Sequence, residues 1–197
     1  MMRAASNPDD LGNADQQHFR RRSRHTLLVV IVIGTVIAAV DQLSKQWALW
    51  HLDPHRTIPL VGEMLGLRLA FNTGAAFSLG SNTTWILSLA SAVTVVGLLT
   101  RTVLGLPSKY TVGFGVLLGG AAGNLFDRLV RGDQFGSGVV VDMINYANLA
   151  IGNVADIAIV IGVGILAVTY ARTTAPKRDQ AGDSATAAAP MSPEDPR

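Results

Sequence analysis

The sequence contains no cysteine, so neither a disulfide nor a thiolate-bound metal is available to it. Histidine is scarce and stops at His55, which leaves no histidine beside the later polar clusters for a serine–histidine hydrolase. An H-E-x-x-H pattern is missing, which excludes a zincin-type centre. His51 and His55 in "HLDPH" have i, i+4 spacing, but Pro54 interrupts the helix that would align them. They read as interfacial polar residues. No metal and no cofactor are expected. Charge is also sparse: 15% of residues are charged, against about 25% in an average soluble protein. A net charge of +2 is too small to suggest a nucleic-acid partner. No internal repeat is visible.

Long apolar runs are present instead. Four of them approach the roughly 20 residues that cross a bilayer, at about 26–49, 85–104, 110–130 and 150–171. The first lacks a small-x-small cleavage site and runs into Asp41 and Lys45, so it is expected to be a retained span rather than a signal peptide. Residues 1–25 form a basic arm expected to be disordered, and so is the Ala-, Pro- and Asp-rich tail 173–197. The expected fold is an all-α membrane protein of four transmembrane helices with a small extracytoplasmic β-sheet segment, its membrane domain spanning 26–172.

Basic residues give the orientation. Arg20, Arg21, Arg22 and Arg24 precede the first span, while Arg172, Lys177 and Arg178 follow the last. Arg101 and Lys109 lie in the short loop between spans two and three. The positive-inside rule puts all three groups, and both termini, in the cytoplasm. The outer β-segment, about 56–80, shows partial alternation at Leu65, Leu67, Leu69 and Phe71, then a turn at "NTG". "SGVVVDMI" is a second β-like run, and "RGD" at Arg131 to Asp133 reads as a turn.

Carboxylates interrupt the apolar runs. Asp41 lies roughly 22 Å from the inner end of the first span, at about 1.5 Å per residue. Asp127 falls near the outer end of the third span, Asp156 in the first turns of the fourth, and Asp142 just before it. Four acids thus reach one depth. Each has helical neighbours: Asp41 with Lys45, Asn124 with Asp127 and Arg128, Asn153 with Asp156. Gly115, Gly119 and Gly123 recur every fourth residue and let another helix approach.

Two readings stand for these charges. Asp41 with Lys45, and Asp127 with Arg128, form neutralised pairs that hold helices together, or they serve a site. Asp142 and Asp156 have no cation nearby in sequence and are the best candidates for a working pair, with Asp127 as the rival to Asp142. Two close carboxylates share a proton, so one activates water while the other polarises a carbonyl and protonates the leaving amine. A proton-relaying carrier and a purely structural subunit are the alternatives. Carriers often show inverted repeats, which are not seen here.

Five motifs in order resemble the lipoprotein signal peptidase (signal peptidase II) family: "DQLSK" at Asp41 to Lys45, "FNTGAAFS" at Phe71 to Ser78, "GGAAGNLFDRL" at Gly119 to Leu129, "VVDMI" at Val140 to Ile144, and "GNVADIAI" at Gly152 to Ile159. The resemblance covers about Val40 to Gly164. It implies an intramembrane aspartyl protease, inhibited by globomycin, of the bacterial cytoplasmic membrane, working at the extracytoplasmic side. The chain itself is expected to be a monomer. It implies that the substrates are prolipoproteins, cut just before a diacylglyceryl-modified Cys. By motif position the catalytic pair falls on Asp142 and Asp156. The supporting residues fall on Asp41, Lys45, Asn72, Gly74, Gly120, Asn124, Asp127, Arg128, Asn153 and Ala155, with Arg128 expected to hold a substrate carbonyl. The chain departs from the family's usual pattern at Gly152 and Ile157, where Phe and Ser are common, and in the short stretch between Asp142 and Asp156.

Overall fold

In the computed structural model, residues 8–74, 84–132 and 135–175 are described, with side chains from Ser23 onward. The chain runs α1 (Pro8–His51), β1 (Ile58–Val61), β2 (Leu65–Asn72), α2 (Thr84–Val103), a 3-10 turn at Ser108–Tyr110, α3 (Thr111–Val130), β3 (Val140–Tyr146), β4 (Ala150–Gly152) and α4 (Val154–Thr174). Ser23–His51, α2 and α4 are long and apolar enough to cross a membrane. α3 carries Asn124, Asp127 and Arg128 and does not reach that apolarity, because it is the helix the others enclose: it packs against α1, α2 and α4.

Two boundaries differ from the sequence expectation. Regular helix begins at Pro8, so residues 8–25 of the arm continue α1, while residues 1–7 and most of the tail lie outside the described residues. The last apolar run starts as strand β4 rather than as helix, because Ala150–Gly152 pairs with Ile144–Tyr146. The part of the outer segment beyond Gly74, and Asp133 of "RGD", also lie outside the described residues.

Burial is inverted relative to a water-soluble protein. The largest fully buried side chains include Lys45, Asn153, Thr102, Asp41, Asp127 and Asp142. Leu28, Val36, Leu43, Val93, Val160 and Val163 are exposed on the helices. Charges are affordable inside a membrane only where they face one another, which is where these lie. The every-fourth-residue glycines of α3 meet α1: a Cβ at Gly119 would lie 2.7 Å from the Gly34 carbonyl oxygen. On the other face, a Cβ at Gly120 would lie 2.6 Å from the Ala155 carbonyl oxygen, so α4 approaches α3 only because that position is glycine.

The four strands form one antiparallel sheet in the order β1-β2-β3-β4. A register shift in β2 between Leu67 and Ala70 breaks its alternation and sets Ala70 opposite Asp142. Leu69, Val141 and Met143 pack on Ala48 and Leu52 at the end of α1, which fastens the sheet to the helices. The short stretch after Asp142 is a tight hairpin. Ala147 and Asn148 take positive φ at its turn, as such turns require, and the chain doubles back so that α4 starts beside β3.

Candidate active site

Asp142 sits on the inner part of β3 and is 1% exposed. Its Oδ1 accepts from Asn153 Nδ2 at 2.6 Å and its Oδ2 from Asn72 Nδ2 at 3.0 Å. Burial pushes its carboxyl up to about 6, partly offset by these two amide donors, while nearby Asp156 raises it further.

Asn153 joins the two acids. It caps α4: its Oδ1 accepts from the Asp156 backbone N–H at 3.0 Å, and Asp156 Oδ2 accepts from the Asn153 backbone N–H at 3.1 Å. The same Asn153 side chain donates to Asp142. Asp156 Oδ1 accepts from Asn124 Nδ2 at 2.9 Å. The negative group therefore lies at a helix N-terminus, where the dipole favours it.

A second cluster adjoins the pair. Lys45 Nζ bridges Asp41 at 2.7 Å and Asp127 at 3.0 Å, and donates to Asn124 Oδ1 at 3.1 Å. Asp41 Oδ1 accepts from the Ala155 backbone N–H at 2.9 Å, which ties α1 to the start of α4. Asp127 also accepts from the Val141 backbone N–H at 3.1 Å, which ties α3 to β3. The four acids are thus links of one hydrogen-bonded network running from Asp41 through Lys45, Asn124, Asp156 and Asn153 to Asp142 and Asn72.

One expected pairing is corrected. Asp127 does not pair with Arg128; its cations are Lys45 and Arg131, the latter at 2.9 Å. Residues four apart share a helix face, and adjacent residues do not. Arg128 turns the other way. It is 8% exposed, its Nη1 is buried without a hydrogen-bond partner among the described residues, and it feels Asp142, Asp127 and Asp156 electrostatically. A Cβ at Gly74, where φ is +84°, would lie 3.6 Å from that Nη1, so both expected residues reach the same spot. Arg128 and Asn124 border a cavity of about 250 Å³ between α2, α3 and α4, with Leu87, Ala90, Leu117 and Ile159.

Three participants carry no assigned role in the sequence reading. Gln42 donates to Asp41, to Asp127 and to the Gly123 carbonyl. Arg131 opens the "RGD" turn, although its i+4 spacing from Asp127 signals the pair. The Tyr146 phenol is pushed up by burial and by both carboxylates of the pair; nothing in its local sequence signals this. Of the two departures, Gly152 matters more to the site. A Cβ there would lie 3.0 Å from Asp156 Oδ2, whereas Ile157 is exposed on α4.

A family model described as signal peptidase (SPase) II matches residues 32–172. The lipoprotein signal peptidase of Bifidobacterium adolescentis is 40% identical over 149 residues, covering 76% of this chain and 79% of its own. That of Rhodococcus jostii is 38% identical over 161 residues, covering 81% of this chain and 79% of its own. A solved bacterial membrane enzyme, crystallised in meso and determined at 2.3 Å, shares the fold with a TM-score of 0.64 at 22% identity, over 77% of this chain and 92% of that one. Apolar helices, a buried polar centre and these matches define a peptidase embedded in a bacterial cell membrane. The chain belongs to the signal peptidase II family.

Proposed function

We propose that this chain removes signal peptides from diacylglyceryl-modified prolipoproteins by aspartyl-type hydrolysis, cutting just before the lipid-modified Cys. In this reading α3 also crosses the membrane, which makes four spans, both termini are cytoplasmic, and the sheet and the acid pair lie at the outer side of the cytoplasmic membrane. The observation that carries the chemistry is that Asn153 holds both acids: its side-chain amide donates to Asp142 Oδ1 and its backbone N–H donates to Asp156 Oδ2.

A water between the two carboxyls is the nucleophile. Asp156, which accepts from N–H groups on both oxygens, takes the water proton as the hydroxyl adds to the scissile carbonyl carbon. Asp142, protonated in the resting pair, donates to the carbonyl oxygen. As the tetrahedral intermediate collapses, the C–N bond breaks, the proton held by Asp156 passes to the leaving nitrogen, and the proton on the former carbonyl oxygen returns to Asp142, which restores the pair with its one proton. Charge balance supports one shared proton. Lys45, Arg128 and Arg131 supply three positive charges against four carboxylates, so the buried ensemble is neutral when the pair holds one proton.

Arg128 Nη1, buried without a hydrogen-bond partner among the described residues, holds a carbonyl oxygen of the substrate. The adjoining cavity takes an apolar part of the signal peptide or an acyl chain. Asn72 and Gly74 lie on the segment that covers the peptide. The chain acts as a monomer, with the surrounding lipid as its solvent.

The test is cleavage by purified, detergent-solubilised protein of a precursor with and without its diacylglyceryl group. Cleavage of the modified form alone is expected. Equal cleavage of both, or of neither by folded protein, contradicts the reading.

A further inference from the structure

Asn124 has an amide, and an amide has two faces with opposite roles: its oxygen only accepts and its nitrogen only donates. A carboxamide beside a carboxylate is useful only if the nitrogen faces it. In this site the orientation is not left to chance. Lys45 Nζ is a donor with no accepting capacity, and it lies 3.1 Å from Asn124 Oδ1. The oxygen must face Lys45, so the nitrogen must face Asp156 Oδ1, to which it donates at 2.9 Å. Lys45 is itself fixed. Asp41 and Asp127 hold it from two helices, and the side chain is fully buried.

The other amides of the site obey the same logic. The Asn153 oxygen accepts a backbone N–H of α4, which turns its nitrogen to Asp142. The Asn72 oxygen accepts the Gly74 backbone N–H at 2.7 Å, which turns its nitrogen to Asp142. Of the three amides that donate to Asp142 or Asp156 among the described residues, two are thus set by backbone within their own segment, and Asn124 is set by a side chain from another helix.

We propose that Lys45 is a positioning residue for peptide hydrolysis: without touching substrate, it sets the Asn124 amide so that Asn124 donates to Asp156. The role of Lys45 is then distinct from that of a helix-packing ion pair. Its tie to Asp127 holds α1 against α3, its tie to Asp41 lies within α1, and its third donor reaches the reacting acid through Asn124. This inference rests on the peptidase reading above.

The test is a double-mutant cycle on steady-state cleavage of a diacylglyceryl-modified precursor by the full chain in detergent. Wild type, Lys45→Met, Asn124→Ala and the double variant are compared, with folding checked by thermal melting. Each single change should lower kcat at least about tenfold with KM within about twofold, and the double variant should be no slower than the slower single. Losses in kcat that multiply in the double variant overturn the proposal. So does a folded Lys45→Met with the kcat of wild type. If Lys45→Met does not fold, the same cycle is read with Lys45→Gln, whose amide keeps a donor in the cluster. If wild type cuts no precursor, the peptidase reading fails. If wild type cuts and the two changes act independently, only the positioning role fails.

Discussion

Asp142 shows how a single buried group links stability to chemistry. Its unfolded carboxyl has the ordinary value of 3.8 and its folded one about 6. The folded protein therefore binds this proton more tightly than the unfolded chain. That contribution is fully present below about pH 4 and is lost as pH rises through 6, at most about 3 kcal/mol. Asp142→Asn removes the slope. The melting temperature of the variant, relative to wild type, should rise between pH 4 and 6; a constant difference across that range would contradict the assignment. Arg128 makes a separate prediction. Arg128→Lys keeps the charge but loses the planar fork, and should raise KM roughly tenfold with a smaller change in kcat, since a lone ammonium cannot replace the guanidinium. Unchanged steady-state constants would remove Arg128 from substrate binding.

The helices and strands were partly legible in the sequence. The spans were legible because apolar length is a strong signal, and β2 and β3 because their branched and apolar residues alternate or cluster. β4 was not, since its three residues become a strand only by pairing with β3 across a hairpin whose turn uses Ala and Asn at positive φ. The acid pair and its amides were within reach of spacing arguments, because Asn153 and Asp156 form a capping box. The partners of Asp127 were not, since adjacency in sequence drew attention to Arg128 while the helix carries Arg131 to the same face. At this scale Gly120 is the point where α3 meets the backbone of α4. Gly120→Val would force α4 from α3 and should cost about 1–3 kcal/mol, read as a lower melting temperature in detergent together with lost cleavage. Full stability in that variant would mean that the two helices do not meet there.

At the scale of the molecule, apolar side chains face outward and a network of acids and cations fills the centre. Such a core needs a membrane around it, and the basic residues at both ends give the proposed threading. A fluorescent reporter that matures only in the cytoplasm should glow when fused to either terminus and stay dark when inserted in the turn between β1 and β2. A bright reporter in that turn would reverse the proposed topology.

The central claim is that Asp142 and Asp156 are the working pair while Asp127 is held by its cations. The most direct measurement is a gel-shift cleavage assay on diacylglyceryl-modified precursor with wild type, Asp142→Asn, Asp156→Asn and Asp127→Asn, each shown to be folded. The account predicts that the first two variants are inactive and that Asp127→Asn, whose carboxylate serves Lys45, Arg131 and the Val141 amide, retains measurable cleavage. An active Asp142→Asn beside a dead, folded Asp127→Asn would contradict it and move the chemistry to Asp127.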